Sequence, residues 1–188
     1  MNRLAVRTIV RDIISLVKKN KNGFFKLPED INNKPLYNFI NTNQKYDIEL
    51  TIKTSKKIDT FTLNGNYIPD EEIIELYLIY NPNNKNLYNL IGDLNEVLTH
   101  EMTHQKQHYT NEFNLNIKKP NIPFKYYTQK HEIPAQYNGL KRLSKITKEP
   151  FDKVVNNWFI KNRQFHYLNK KEEEKVINLI INHYICQK

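Results

Sequence analysis

The chain of 188 residues contains little of what several common protein classes require. Its four glycines cannot form the glycine-rich loop of a dinucleotide-binding or P-loop domain. Its one cysteine, Cys186, excludes an internal disulfide and a zinc cluster built from cysteines. No apolar run approaches the roughly 18 residues of a transmembrane helix. These absences exclude membrane-spanning, disulfide-stapled and glycine-loop nucleotide-binding proteins.

The N-terminal residues are also unlike a signal peptide, because Arg3, Arg7, Arg11 and Asp12 interrupt the apolar positions. The chain nevertheless has the material for a folded core, since 39% of its residues are hydrophobic and 12% are aromatic. Wholesale disorder is therefore excluded. At this length a single domain is expected, and we predict a cytoplasmic protein with no membrane partner.

Alternation of apolar and polar residues predicts a small sheet between residues 46 and 80. Tyr46, Ile48, Leu50 and Ile52 alternate with polar residues, which is typical of a half-buried strand. A second strand is predicted at 58–63, ended by a hairpin turn at Asn64-Gly65-Asn66, and a third at 73–80. Short turns between three strands indicate an antiparallel β-meander over 46–80.

Helical periodicity occurs in the sequence both before and after these predicted strands. An amphipathic helix is predicted within residues 1–22, and an apolar stripe predicts a helix over residues 87–110. Pro120 and Pro123 indicate a loop, after which helical patterns fill residues 131–187. The chain is therefore predicted to be one α+β domain with a helical C-terminal half.

His100-Glu101-Met102-Thr103-His104 is an HExxH motif inside the helix predicted for 87–110. Histidines four residues apart lie on one helix face, so both imidazoles can bind one metal ion. Zinc with three protein ligands retains a position for water and lowers the pKa of that water toward about 7. Glu101 lies about 100° around the helix from His100, where it can act as general base and then acid. Residue frequencies alone give an expected count of about 0.01 for a chance match.

The third protein ligand is not supplied by an extension of the motif. Gln107 and Thr110 occupy the positions where a metzincin has glycine and histidine. His108 is a weak candidate, because three histidines stacked along a straight helix converge poorly on one ion. Glu112 is also a weak candidate, because it follows the helix too closely unless the chain turns back.

A later segment offers better candidates for this ligand. Glu132, at the start of the next predicted helix, would complete a His-His-Glu site. It is the only acidic residue in 118–148, a segment that contains eight Lys and Arg. We favour Glu132 and keep His131 as the alternative.

An HExxH helix after strands, with a later glutamate on a second helix, resembles the zincin metallopeptidases of the gluzincin type. The segments HEMTHQKQ (100–107) and HEIPAQ (131–136) are similar to small HExxH proteins of bacteriophages, and the resemblance extends over about residues 46–140. It implies zinc bound by His100, His104 and Glu132, with Glu101 as base and a protein or peptide as substrate. It also implies a location in the host cytoplasm or the virion. Pro134 departs from the pattern and fits only a helix that begins near residue 131 or 132.

Other side chains are candidates for supporting roles. A hydrolytic site needs a donor to the developing oxyanion, and Tyr126, Tyr127, His131 and Tyr137 flank the proposed third ligand. Gln107 could orient a metal ligand from behind. In zincins the sheet edge beside the active-site helix binds substrate as an added strand, so we expect a strand within 58–80 to do so.

The net charge of +9 leaves a second function open. Basic residues concentrate in the first 21 residues and in 118–148, whereas residues 70–101 carry seven acids and one lysine. Basic surfaces with Tyr126 and Tyr127 for stacking are typical of nucleic-acid contact. The alternative prediction is therefore a catalytically inactive zincin-fold protein, either associated with nucleic acid or structural in a virion.

Overall fold

The computed structural model describes residues 3–27, 47–84, 86–111 and 122–186. In its first half one helix precedes four consecutive strands, and its second half is helical, so the predicted α+β class is confirmed. The elements are α1 (Arg3–Lys18), β1 (Gly23–Leu27), β2 (Asp47–Thr54), β3 (Phe61–Ile68), β4 (Ile73–Tyr80), α2 (Tyr88–Tyr109), α3 (Pro123–Tyr127), α4 (Glu132–Thr147), α5 (Phe151–Lys161), α6 (Arg163–His166) and α7 (Lys170–Cys186).

Within the described ranges the sheet has four strands in the order β1-β2-β4-β3, and it is mixed. Strands β2 and β4 are parallel neighbours, while β1 pairs with β2 and β3 pairs with β4 in antiparallel fashion. The prediction of a purely antiparallel meander is therefore wrong. The apolar strand β4 takes an interior position, where its alternate side chains are buried, and the Asn- and Gly-containing β3 takes the edge.

Two local predictions also need correction. Asn64-Gly65-Asn66 does not form a hairpin turn but lies inside β3, and the chain turns at residues 69–72 instead. The first helix ends at Lys18 rather than near residue 22, and the unpredicted strand β1 follows it at Gly23. The predicted loop at 28–45 lies outside the described residues.

Two hydrophobic cores lie on either side of α2. The first is formed by α1, α2 and one face of the sheet, and includes Ile13, Leu50 and Leu98. The second joins α4, α5 and α7, and includes Leu140 and Phe159. Helix α2 thus contacts β3 on one side and α4 on the other. None of the helices in the described ranges is long and apolar enough to cross a membrane.

Candidate metal centre

The HExxH motif lies in the most buried part of α2. His100, Glu101 and His104 are each only 7% exposed. Leu98 and Met102 on the same helix pack into the first core, so the opposite side of α2 turns toward α4. The two helices approach closely at Gly139, where an added Cβ would lie 3.0 Å from the backbone oxygen of Glu96.

Three side chains from the two helices, two imidazoles and one carboxylate, form a tight triangle. The Nε2 atoms of His100 and His104 are 3.1 Å apart. The carboxylate of Glu132 lies 3.5 Å from His100 Nε2 through Oε2 and 3.6 Å from His104 Nε2 through Oε1. Ligands of a tetrahedral ion at 2.0–2.1 Å are separated by about 3.3–3.4 Å, so the triangle has the size of a metal site.

The donor set also fits a cation. Oε2 of Glu132 is buried, and in the described part of the chain its contact with His100 Nε2, at 3.5 Å, is long for a hydrogen bond. A buried carboxylate oxygen and two imidazole nitrogens at this spacing need a proton or a metal ion between them. The buried group of His100, Glu101 and His104 could therefore hold a metal ion. Helix α4 begins at Glu132 and has Pro134 in its first turn, as the position of this proline requires.

The charges of the cluster shift its pKa values in opposite directions. Burial alone lowers the pKa of His100, but the hydrogen bond to Glu132 and the charges of Glu101, Glu132 and Glu96 outweigh it and raise that pKa to about 9. Burial alone raises the pKa of Glu132, but hydrogen bonds and charges from His100 and His104 hold it well below its usual range. The carboxylate of Glu132 is thus fixed in the ionised form that binds a cation.

Gln107 holds His104 from behind. Its Oε1 lies 2.9 Å from Nδ1 of His104, and its amide Nε2 donates a hydrogen bond of 3.0 Å to the backbone oxygen of His131. Because the amide oxygen of Gln107 can only accept, Nδ1 of His104 carries the ring proton. Nε2 of His104 then keeps a lone pair that can bind a metal ion. Gln107 therefore links His104 to the start of α4, and its predicted supporting role would use these contacts.

Glu101 lies beside the triangle, with a carboxylate oxygen within 4.8 Å of the ligand atoms of the two histidines, and it also faces the edge of the sheet. The backbone N–H of Tyr67 in β3 donates a hydrogen bond of 2.8 Å to Oε2 of Glu101. A Cβ on Gly65 would lie 2.4 Å from Val97 Cγ1 and 3.1 Å from Glu101 Cγ. Only glycine therefore lets β3 approach α2 this closely. Neither contact follows from a sequence pattern, since the sequence predicts a hairpin turn at Gly65.

A cleft with a volume of about 240 Å³ opens between β3 and the α3–α4 segment. Glu101, His104, Glu132, His131 and Tyr126 line it, together with β3 residues from Gly65 and the turn residue Pro69. Burial, the charges of Glu132 and Glu101 and a hydrogen bond to Glu132 raise the pKa of Tyr126, so its hydroxyl remains a donor. Nε2 of His131 lies 3.6 Å from Oε1 of Glu132, and burial lowers the pKa of His131.

Other residues named from the sequence lie elsewhere. The ring of Tyr127 packs against Phe159 and His166, and Tyr137 packs against residues of α5 and α7, so neither lines the cleft. Nδ1 of His108 is 2.7 Å from the hydroxyl of Tyr67, and His108 is not part of the triangle. Glu112 lies outside the described residues.

One buried acid near the site was not predicted. Glu96 is 5% exposed and lies one helical turn before His100. Burial raises the pKa of Glu96 to about 7, although the charge of His100 lowers it. Its position four residues before the first motif histidine is the only sequence signal that could have identified it.

The chain was compared with protein-family models, with curated proteins and with solved structures, and no match was found in any of the three. The geometry of the cluster formed by α2, α4 and β3 is therefore the basis for inferring a function.

Proposed function

We propose that this chain is a zinc-dependent peptidase that hydrolyses peptide bonds in a protein or peptide substrate. His100, His104 and Glu132 are the metal ligands, and Glu101 is the general base. The observation that supports this most strongly is the triangle of two imidazole nitrogens and one carboxylate, with separations of 3.1, 3.5 and 3.6 Å. It opens into a cleft that Glu101 also lines.

Zinc is favoured by the donor set together with the HExxH spacing of its two histidines. Two imidazoles and one carboxylate are typical of catalytic zinc, whereas calcium and magnesium prefer oxygen ligands alone. When bound, zinc supplies a Lewis acid that polarises a carbonyl group and lowers the pKa of a water molecule.

The surrounding residues have distinct roles in this proposal. Glu101 accepts a proton from the attacking water and returns it to the leaving amine. In the resting protein the backbone N–H of Tyr67 orients the carboxylate of Glu101. Tyr126 lines the cleft with a hydroxyl that stays protonated, so it can donate a hydrogen bond to the oxyanion. His131, at the same wall, is the second candidate for that donor.

Metal analysis combined with peptide cleavage tests this function. The purified chain should contain one zinc ion per molecule and cleave some members of a random peptide library. Glu101→Gln should retain the metal and lose cleavage, and His104→Ala should lose both. Glu71→Gln, which changes an exposed acid, serves as the matched control. Protein without stoichiometric zinc, or full cleavage by Glu101→Gln, would contradict the proposal.

A nucleic-acid-associated, catalytically inactive protein is the second candidate function. One surface supports it: Arg7, Arg11 and Lys18 are exposed along the outer stripe of α1, which is otherwise largely buried. The stripe is about 16 Å long, from the rise per residue of a helix, and would contact several phosphates. Salt-dependent DNA binding that Arg7→Gln and Arg11→Gln weaken, in a protein without cleavage activity, would favour this candidate.

A further inference from the structure

A second cavity of about 240 Å³ lies on the outer face of the sheet, which faces away from α1 and α2. Gly65 and Asn66 of β3 line both this cavity and the catalytic cleft. The two cavities are therefore separated only by the edge strand. The side chains that form the second one include Phe24, Glu49, Asn64, Glu75 and Tyr77.

The second cavity contains two adjacent carboxylates with incomplete neutralisation. Glu49 and Glu75 are register partners on the parallel strands β2 and β4. Lys26 forms an ion pair of 3.2 Å with Glu49, while the described residues provide no ion pair for Glu75. Like charges directly opposite each other in a sheet are destabilising, so a cation placed beside Glu75 would be stabilised.

Two aromatic rings complete a surface suited to a cationic side chain. Phe24 is 54% exposed. Tyr77 already has the ammonium group of Lys53 at 5.2 Å from its ring centroid. Aromatic faces and carboxylates together bind guanidinium and ammonium groups. A neutral or acidic side chain would gain neither the ion pair nor the cation–π attraction.

We propose that this cavity is a subsite for an arginine or lysine side chain of the substrate, bound along the edge of β3. This inference rests on the proposed peptidase function. A strand added beside β3 would lie about 9.5 Å from β4, which is two strand spacings. The extended side chains of arginine and Glu75 together span that distance. Asn64 and Asn66, whose side chains are short, line the cavity between the edge of β3 and β4.

Because β3 separates the two cavities, it also determines how many residues lie between the basic side chain and the scissile bond. Gly65 is adjacent to Glu101, while Asn64 and Asn66 flank the second cavity. Residues of a strand advance by about 3.3 Å, so the basic side chain lies within about two or three residues of the scissile bond.

Position-scanning peptides test this subsite. Uncharged decapeptides carry one arginine at each position in turn, and the matched set carries citrulline, which has the same shape without the charge. Wild type should cleave with about five- to tenfold higher kcat/KM when arginine is at one fixed position, as expected for a half-exposed ion pair with an aromatic contact. Glu75→Gln should remove most of this preference, and Glu71→Gln should preserve it.

A binding measurement separates this inference from the proposed function. The Glu101→Gln protein should bind the arginine peptide about five- to tenfold more tightly than the citrulline peptide, by the same interactions. Equal binding of the two peptides, or a preference that Glu75→Gln leaves intact, would overturn the subsite. Absence of cleavage with a retained arginine preference in binding would instead overturn the peptidase function alone.

Discussion

The backbone N–H of Tyr67 donates a hydrogen bond of 2.8 Å to Oε2 of Glu101, so the proposed general base is held by the edge strand of the sheet. The contact exists because β3 passes directly over α2 at Gly65. The position of the carboxylate therefore depends on the separation between strand and helix. A substitution that increases this separation should displace Glu101 before it affects the proposed metal ligands, which lie on the side of α2 that faces α4.

Replacement of Gly65 by alanine tests this dependence. The added Cβ would lie 2.4 Å from Val97 Cγ1 and 3.1 Å from Glu101 Cγ, so β3 and α2 must move apart. We expect the free energy of unfolding to fall by about 1–3 kcal/mol, as for an overpacked core, and kcat to fall with zinc content unchanged. Denaturant unfolding and cleavage rates measure the two effects.

Gly92→Ala is the matched control for this change. Its Cβ would meet only the end of the Leu143 side chain, at 3.1 Å, and alanine is favoured over glycine inside a helix by about 1 kcal/mol. Stability should therefore hold or rise, and kcat should not change. A Gly65→Ala protein as stable and active as Gly92→Ala would show that β3 does not position Glu101.

The proposed ligand set illustrates what local patterns can predict. His100 and His104 follow from helical spacing alone, and Glu132 follows from being the only acid in a basic segment at a helix start. The structure places these three together. The roles of Gly65 and Tyr67 were not predictable, because they depend on which strand lies beside α2. That is a property of strand order, and it leaves no periodic signal in the sequence.

The strand order itself shows why the sheet was only partly predicted. Alternation identifies β2, and a high density of β-branched and aromatic residues identifies β4, but the short turns between the strands indicate a meander. The packing instead favours β2 beside β4, because both strands bury apolar side chains on the same face. Asn64-Gly65-Asn66 has the composition of a turn, and tertiary contact with α2 determines its extended conformation.

Gln107→Leu should weaken metal binding without unfolding the protein. Leucine fills a similar volume but removes the acceptor at His104 Nδ1 and the donor to the backbone oxygen of His131. Loss of such a supporting contact lowers metal affinity about 10- to 100-fold. Competition with a chelator measures the change, and Lys106→Ala, at an exposed neighbouring position, is the control. Unchanged affinity in Gln107→Leu would show that His104 needs no support.

Metal affinity should increase with pH up to about 9. In the metal-free protein burial lowers the pKa of His100, but Glu132 and neighbouring acids raise it from 6.5 to about 9. Metal binding needs the neutral imidazole, so below that pH the ion must displace a proton. Affinity should therefore rise about tenfold per pH unit between 7 and 9 and then level off. A plateau that begins at pH 7 would contradict the raised pKa.

The same shift determines how the metal-free protein responds to pH. A raised pKa in the folded state contributes stability that is fully present below 6.5, the ordinary value for histidine, and is lost as the pH rises through about 9. Unfolding of chelator-treated protein should therefore become easier between pH 6.5 and 9. Zinc-loaded protein should not show this loss, because its His100 is neutral throughout.

Tyr126 and Tyr127 provide a matched pair for the oxyanion donor. Tyr126 lines the cleft beside Glu132, whereas Tyr127 packs against Phe159 and His166 outside it. Tyr126→Phe should lower kcat about 10²- to 10³-fold, the cost of losing one oxyanion donor, with KM and zinc content nearly unchanged. Tyr127→Phe should leave kcat within about twofold, because its hydroxyl does not line the cleft. If both variants retain full kcat, the donor must be His131, and His131→Ala should then show the loss expected of Tyr126→Phe.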